Sequence, residues 1–256
     1  MAPRTPTDAP PPTAALFVTC LADALLHPVA QAARKTLANQ GVRVSLPPAQ
    51  VCCGNALYKA GHVRRAAEVG AAWTRAFAGA GAGAIVSPSG SCVAHLRRHL
   101  PELLSPWPGL AAQAKTLAER TFELSQYLHH CLGLTALTGA RAPGRPWAYH
   151  ASCGLHRALG EEAAPLALLG ALPGRPRLTL PRPERCCGFG GPFSLSHPEL
   201  SGALLSDKLA AAAEAGAEVL VVGDVGCLLH LQAGADRLAQ GVEVVHLAQI
   251  LAGEVD

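Results

Sequence analysis

The sequence predicts an α/β fold of two tandem pseudo-repeat halves. Each half has short parallel strands, covering helices, and cysteines in the loops at the carboxyl edge of its sheet. Three observations lead there. Eight of the nine cysteines form two matched sets, Cys20, Cys52, Cys53 and Cys92, then Cys153, Cys186, Cys187 and Cys227, each 133 to 135 residues after its counterpart. Short runs apolar on both faces, such as Ala14–Thr19 and Ala84–Ser87, alternate with amphipathic segments, the pattern of parallel strands covered on both sides. Gly41 and the stretch from Gly79 to Gly83 punctuate those segments as helix stops.

Residues 1–13, rich in Pro, Thr and Ala with a single Arg, read as a disordered tail and lack the apolar core of a signal peptide. A first module over residues 14–140 follows, with strands at about 14–19, 42–46 and 83–87 and helices at about 25–40, 60–79 and 92–100. A weaker strand near 121–124 leads into a helix that carries Cys131. The second module, residues 141–256, has strands near 146–150, 177–180, 218–222 and 243–246 with helices between them. The text around the cysteines repeats as well. Val51-Cys52-Cys53-Gly54 answers Arg185-Cys186-Cys187-Gly188, and Gly90-Ser91-Cys92-Val93-Ala94-His95 answers Val225-Gly226-Cys227-Leu228-Leu229-His230. Four matched cysteines per half mark a duplicated module with one metal site in each half.

Composition narrows the chemistry. Half of the 256 residues are hydrophobic, enough for a substantial core, while only 15% are charged and the net charge is +3. That excludes the dense basic surface of a nucleic-acid binder. No uninterrupted run of about 18 apolar residues is present, so no transmembrane helix is expected. The reading is a soluble, cytoplasmic protein, where clustered cysteines are metal ligands rather than disulfides.

Four cysteines converging at the carboxyl edge of a parallel sheet suit an iron–sulfur cluster or a structural zinc. The ligands come singly and as the adjacent pairs Cys52–Cys53 and Cys186–Cys187, not as the Cys-x2-Cys knuckles of small zinc modules. Adjacent cysteines fill two corners of one tetrahedron poorly, whereas a cluster accepts them on neighbouring metals. Gly54 and Gly188 after each pair would let backbone N–H groups reach the sulfurs. His95 and His230 each follow a cysteine by three residues. They read as helix residues facing solvent or a neighbour, with ligation the alternative. His150 and His156 flank Cys153 and read as structural or surface residues able to tune the site. Cys131, outside the repeat, reads as an ordinary buried thiol. Gly188-Phe189-Gly190-Gly191 follows a ligand pair instead of opening from a strand, so it is not read as a phosphate loop. No Ser/His/Asp set or HExxH motif is present.

Phe17-Val-Thr-Cys-Leu-Ala-Asp23, Val51-Cys-Cys-Gly54, Ser87-Pro-Ser-Gly-Ser-Cys92, Tyr149-His-Ala-Ser-Cys153, Cys186-Cys-Gly-Phe-Gly-Gly191 and Gly223-Asp-Val-Gly-Cys-Leu-Leu229 together resemble the cysteine-rich CCG domain family, most closely its lactate utilization protein A type. The resemblance covers nearly everything after Thr13. It implies two iron–sulfur clusters of the [4Fe–4S] kind, held by Cys20, Cys52, Cys53 and Cys92 and by Cys153, Cys186, Cys187 and Cys227. It also implies an electron-transfer subunit that works with a ferredoxin-like iron–sulfur subunit and a smaller third subunit to oxidise L-lactate or a related 2-hydroxy acid. Two relatives differ. The cysteine-rich subunit of heterodisulfide reductase has a further cysteine where this chain has His95 and His230. The glycolate oxidase iron–sulfur subunit adds a ferredoxin module that is missing here. The rival expectations are a zinc-binding structural platform, with zinc at one or both sites, and a heterodisulfide-reductase-like subunit.

Overall fold

The computed structural model describes residues 12–81, 83–238 and 241–256. The expected tail over residues 1–13 lies outside them but for Pro12 and Thr13. In the first half, β1 (Thr13–Leu16), β2 (Arg43–Ser45), β3 (Ala84–Ser87) and β4 (Thr121–Glu123) pair in the order β2-β1-β3-β4, all parallel. In the second half, β5 (Trp147–His150), β6 (Val219–Val222) and β7 (Glu243–His246) pair in the order β5-β6-β7, also parallel. The strand expected near 177–180 shrinks to one parallel bridge, Ala148 with Leu178, in which the Leu178 N–H donates to the Trp147 carbonyl at 2.8 Å. Pro176 and Pro181 stand on either side of Leu178 and have no N–H for a ladder, so pairing stops there. Leu178 nevertheless occupies the edge that β2 occupies in the first half, and the two sheets share one topology.

The helices follow from local sequence. β1 ends at Leu16, short of the expected Thr19, because the Thr19 side chain turns to cap α1 (Cys20–Ala24), accepting from the Ala22 N–H at 3.4 Å. The expected helix at 25–40 appears as α2 (His27–Asn39), opened by Pro28 in its first turn, and α1 before it was not expected from the sequence. α3 (Asn55–Lys59) and α4 (Val63–Ala78) follow, and α4 buries Trp73 and Phe77 against Phe17 with ring centroids 5.7 and 5.5 Å away. α5 (Gly90–Arg98) leads to α6 (Leu100–Leu103) and α7 (Pro108–Glu119). After β4 comes α8 (Leu124–Gln126), then a π-helical turn over Tyr127–Cys131 that carries Cys131. The second half places a π-helical turn at Gly154–Ala158, then α9 (Ala163–Gly170), α10 (Phe193–Ser196), α11 (Pro198–Glu214), α12 (Val225–Leu238) and α13 (Leu247–Leu251). One apolar core crosses both halves, joining Leu16 and Val86 to Leu220 and Val222, and a smaller one under α4 collects Phe17, Trp73, Phe77 and Ile85. α13 packs back on α2, where the Thr36 hydroxyl donates to the Ala248 carbonyl at 3.3 Å.

β4 and β7 end alike. Glu123 caps α8 and His246 caps α13, each in a capping box closed by a glutamine three residues on. Both caps are buried, and they respond to pH in opposite senses. Burial pushes the Glu123 carboxyl up from 4.5 to about 7, so the folded chain keeps a proton that the unfolded chain releases. That contribution to stability is complete below pH 4.5 and is lost as pH rises through about 7. Burial lowers His246 from 6.5 to about 4, so its contribution is present above pH 6.5 and is lost as pH falls through about 4. Glu123→Gln keeps the capping oxygen and removes the proton. In urea unfolding across pH 4.5 to 8 it should gain on the wild type with rising pH, by up to about 3 kcal/mol; a constant difference would contradict the assignment.

Candidate metal centre

The parallel topology delivers four loops to one edge of each sheet. Cys20 opens α1 after β1, and Cys92 stands in the first turn of α5 after β3. Cys52 and Cys53 lie in the loop between β2 and α3. In the second half Cys153 precedes the π-turn after β5, and Cys227 stands in the first turn of α12 after β6. Cys186 and Cys187 lie in the loop after the Leu178 bridge. All eight line a single cavity of about 390 Å³. Cys131 stays away from it and is exposed, not buried as the sequence led one to expect, because it ends a π-turn at the surface.

The sulfurs of each half form an open chain. Cys20 adjoins Cys52, Cys52 adjoins Cys53, and Cys53 adjoins Cys92. Cys153, Cys186, Cys187 and Cys227 repeat that order, with 3.0 Å between the last two sulfurs. Charge collects on the first cysteine of each pair. Thiol hydrogen bonds from Cys20 and Cys53 pull Cys52 down to about 2, helped by the Gly54 N–H at 3.4 Å. Bonds from Cys153 and Cys187, with the Gly188 N–H at 3.3 Å, pull Cys186 down to about 2. Cys20 and Cys153 are raised in return, through those same bonds first and burial second. The first cysteine of each pair is thus the one drawn toward the thiolate, the form that binds metal.

The halves join directly behind the cavity. A Cβ on Gly90 would sit 3.0 Å from Leu155, and one on Gly154 would sit 2.6 Å from the Ser91 nitrogen, so side chains there would force the halves apart. Asp224 brackets the junction. Its Oδ2 accepts from the Ser89 hydroxyl at 3.1 Å and the Ser91 N–H at 2.9 Å, and its Oδ1 accepts from the Gly226 N–H at 3.0 Å.

Comparison with known proteins fits this duplicated geometry. A family model for the cysteine-rich CCG domain matches the chain twice, over residues 14–97 and 147–232. The lactate utilization protein A of an Exiguobacterium species is 38% identical over 94% of this chain and 97% of its own length. Its namesake from Geobacillus kaustophilus is 39% identical over 92% of this chain and 97% of its own. The one from Oceanobacillus iheyensis is 37% identical over 92% and 95%.

The chain belongs to the lactate utilization protein A family, with two CCG domains. The glycine that completes each CCG motif has a steric reason. Gly54 and Gly188 have φ of 89° and 94°, and a Cβ would come within 3.1 Å of the Ala66 carbonyl and 2.5 Å of the Ser201 carbonyl respectively. Ala66 and Ser201 are therefore equivalent positions on α4 and α11. Past Gly188 the halves diverge. Gly190 and Gly191, at φ of 57° and 67°, carry the chain with Pro192, Ser194 and Leu195 across the cavity wall, whereas Gly54 leads straight into α3.

The histidines separate into distinct settings. His95 is buried beside Tyr58 with neither ring nitrogen hydrogen-bonded, and burial lowers it to about 4. His230 is tied by Nε2 to the Ser201 hydroxyl at 3.2 Å, a partner that Ala66 withholds from His95. Neither lines the cavity, and nor does His150. His156 pairs with Glu162 at 3.4 Å. His150 is 1% exposed, its two nitrogens have no hydrogen-bond partner, and burial together with Lys208 lowers it to about 3. Among the described residues, one set of three metal-binding side chains has donor atoms all within 4.8 Å of one another: His150, Cys187 and Cys227.

Three substitutions test the architecture by equilibrium unfolding. Gly188→Ala should cost more than Gly191→Ala, whose Cβ would meet nothing within 4 Å. The expected losses are roughly 3 and 1 kcal/mol, since both share the left-handed strain and only the first adds a clash with backbone. Asp224→Ala, which orphans the Ser91 and Gly226 N–H groups, should cost about 3 kcal/mol; a loss under about 0.5 kcal/mol would mean that the bracket is decorative.

Proposed function

We propose that the chain is the iron–sulfur electron-transfer subunit of a complex that oxidises L-lactate, or a related 2-hydroxy acid, to the 2-oxo acid. The observation that carries this reading is the single cavity lined by both cysteine quartets. The names of the relatives supply the substrate class. Cys20, Cys52, Cys53 and Cys92 would hold one [4Fe–4S] cluster, and Cys153, Cys186, Cys187 and Cys227 the other. The donor set fits: eight thiols face one space, two adjacent pairs among them, and the first cysteine of each pair is drawn toward its thiolate form. Bound there, the clusters would supply acceptance and release of single electrons.

The protein's own part is to hold, tune and shield. The Gly54 and Gly188 N–H groups already point at Cys52 and Cys186 sulfur, the contact that stabilises charge on a ligating thiolate. Leu21, Val225, Phe189 and Leu195 furnish apolar wall. A ferredoxin-like iron–sulfur subunit and a smaller third subunit complete the proposed complex, which would act in the cytoplasm. No helix among the described residues is long and apolar enough to cross a membrane.

A zinc-bearing structural platform is the second reading. The compact His150–Cys187–Cys227 trio favours it for the second site, because three donors so close suit a single ion. Anaerobic purification with iron, sulfide and zinc analysis separates the two. Two clusters predict about eight irons and eight sulfides per chain. Cys187→Ala should remove about half of the iron, while Cys131→Ala should leave it unchanged. Full iron in Cys187→Ala would break the ligand assignment, and zinc with little iron would leave the platform as the account.

A further inference from the structure

The two halves agree in backbone and in cysteines, yet differ behind the sulfurs. Counting back from Cys20 and Cys153, Phe17 matches His150; along α4 and α11, Trp73 matches Lys208 and Phe77 matches Ala212. In the first half these positions build an aromatic wall, with Trp73 and Phe77 stacked 4.7 Å apart and Phe17 edge-on to both. That wall offers no metal donor. In the second half the same space holds an imidazole and an ammonium, each 1% exposed. The Lys208 ammonium is anchored on the Arg182 and Pro183 carbonyls at 3.1 and 3.4 Å. The His150 ring has no hydrogen-bond partner at either nitrogen.

A buried nitrogen left without a partner forfeits its hydration for nothing in return, so a ring with two of them needs something to satisfy it. For His150 the candidates are the Cys187 and Cys227 sulfurs, which share with one of its nitrogens a cluster of donor atoms all within 4.8 Å, whereas His95, orphaned in the same way, belongs to no such cluster among the described residues. Ligands of one tetrahedral metal ion, at about 2.0–2.3 Å from it, lie about 3.5 Å from each other, within reach of small side-chain rotations. Cys187 and Cys227 are also the two buried members of their quartet.

We infer that the second site holds its metal in mixed sulfur–nitrogen coordination, with His150 as a nitrogen ligand beside Cys187 and Cys227, while the first site, backed by Phe17, is all-sulfur. The inference rests on the reading that the quartets bind metal: with zinc, His150 shares one ion with Cys187 and Cys227, and with a four-iron cluster, where each iron takes one protein ligand, it replaces one of Cys153 and Cys186 in the set proposed above. A neutral imidazole ligand with the buried Lys208 ammonium behind it makes the second site less negative than the first. If both sites carry clusters, the second is the easier to reduce.

The test uses the full chain, purified anaerobically with ¹⁵N-labelled histidine. If it carries iron, pulsed EPR of the reduced protein should show the hyperfine coupling of a directly bound histidine nitrogen. That coupling should persist in His95→Ala and His230→Ala and vanish in His150→Phe, which installs the residue already present at position 17. His150→Gln, a polar replacement, serves if the phenylalanine variant does not fold. If the chain carries zinc instead, the electron-transfer reading falls. The inference is then read by X-ray absorption at the zinc edge, where the imidazole shell should be present in the wild type and lost in the same His150 variants. Either way, a wild-type protein without a bound imidazole, or one whose signal survives removal of His150, overturns it.

Discussion

Close backbone contact between the halves is the constraint on which the site depends. Each quartet sits at the edge of its own sheet, and two such edges could face anywhere. They face one another because α5 meets the turn after Cys153 at Gly90 and Gly154, where no side chain intervenes. Asp224 then fixes the junction through a hydroxyl and two backbone N–H groups. Bonds to a carboxylate are the stronger class of neutral-donor hydrogen bond, and this carboxylate is nearly fully buried. Two modest sites thereby become one cavity with eight sulfurs in its wall.

Within that cavity the hydrogen bonds favour charge at one sulfur of each pair. The first cysteine of each CCG motif collects the hydrogen bonds of its neighbours and of the following glycine N–H, which lower its pKa, while the neighbouring thiols and burial raise the second. The glycine serves two ends at once. Its positive φ turns the N–H back toward sulfur, and its missing side chain admits the carbonyl of Ala66 or Ser201. Geometry and electrostatics therefore select the same residue at the same position.

Most of this was legible in the sequence, for a physical reason. Duplication doubles every signal, so the spacing of Cys20 through Cys92 could be checked against Cys153 through Cys227, and strand–loop alternation placed each cysteine at a carboxyl edge. What was missed lacks a local signature. The strand near 177–180 has the right residues, but prolines on both flanks cut its ladder to one bridge. Cys131 lies outside the repeat, and nothing in the sequence marks the π-turn that brings it to the surface. Asp224 resembles any loop aspartate until the other half arrives to donate to it. His150 is the instructive case. Beside Cys153 it reads as a flanking histidine, and its singular position shows only when it is compared with Phe17 across the repeat.

The junction also bears on how such a molecule can be built at all. Ser89 and Asp224 occupy matching places in the two halves, and they bond to each other at 3.1 Å. In a symmetric pair of identical chains, a residue at that place would meet its own copy: serine facing serine, or two carboxylates repelling in a buried space. An acceptor on one side and a donor on the other is available only to a single polypeptide whose halves are free to differ. The covalent link between the modules is thus more than a tether, because it permits a seam that no homodimer of either half could form.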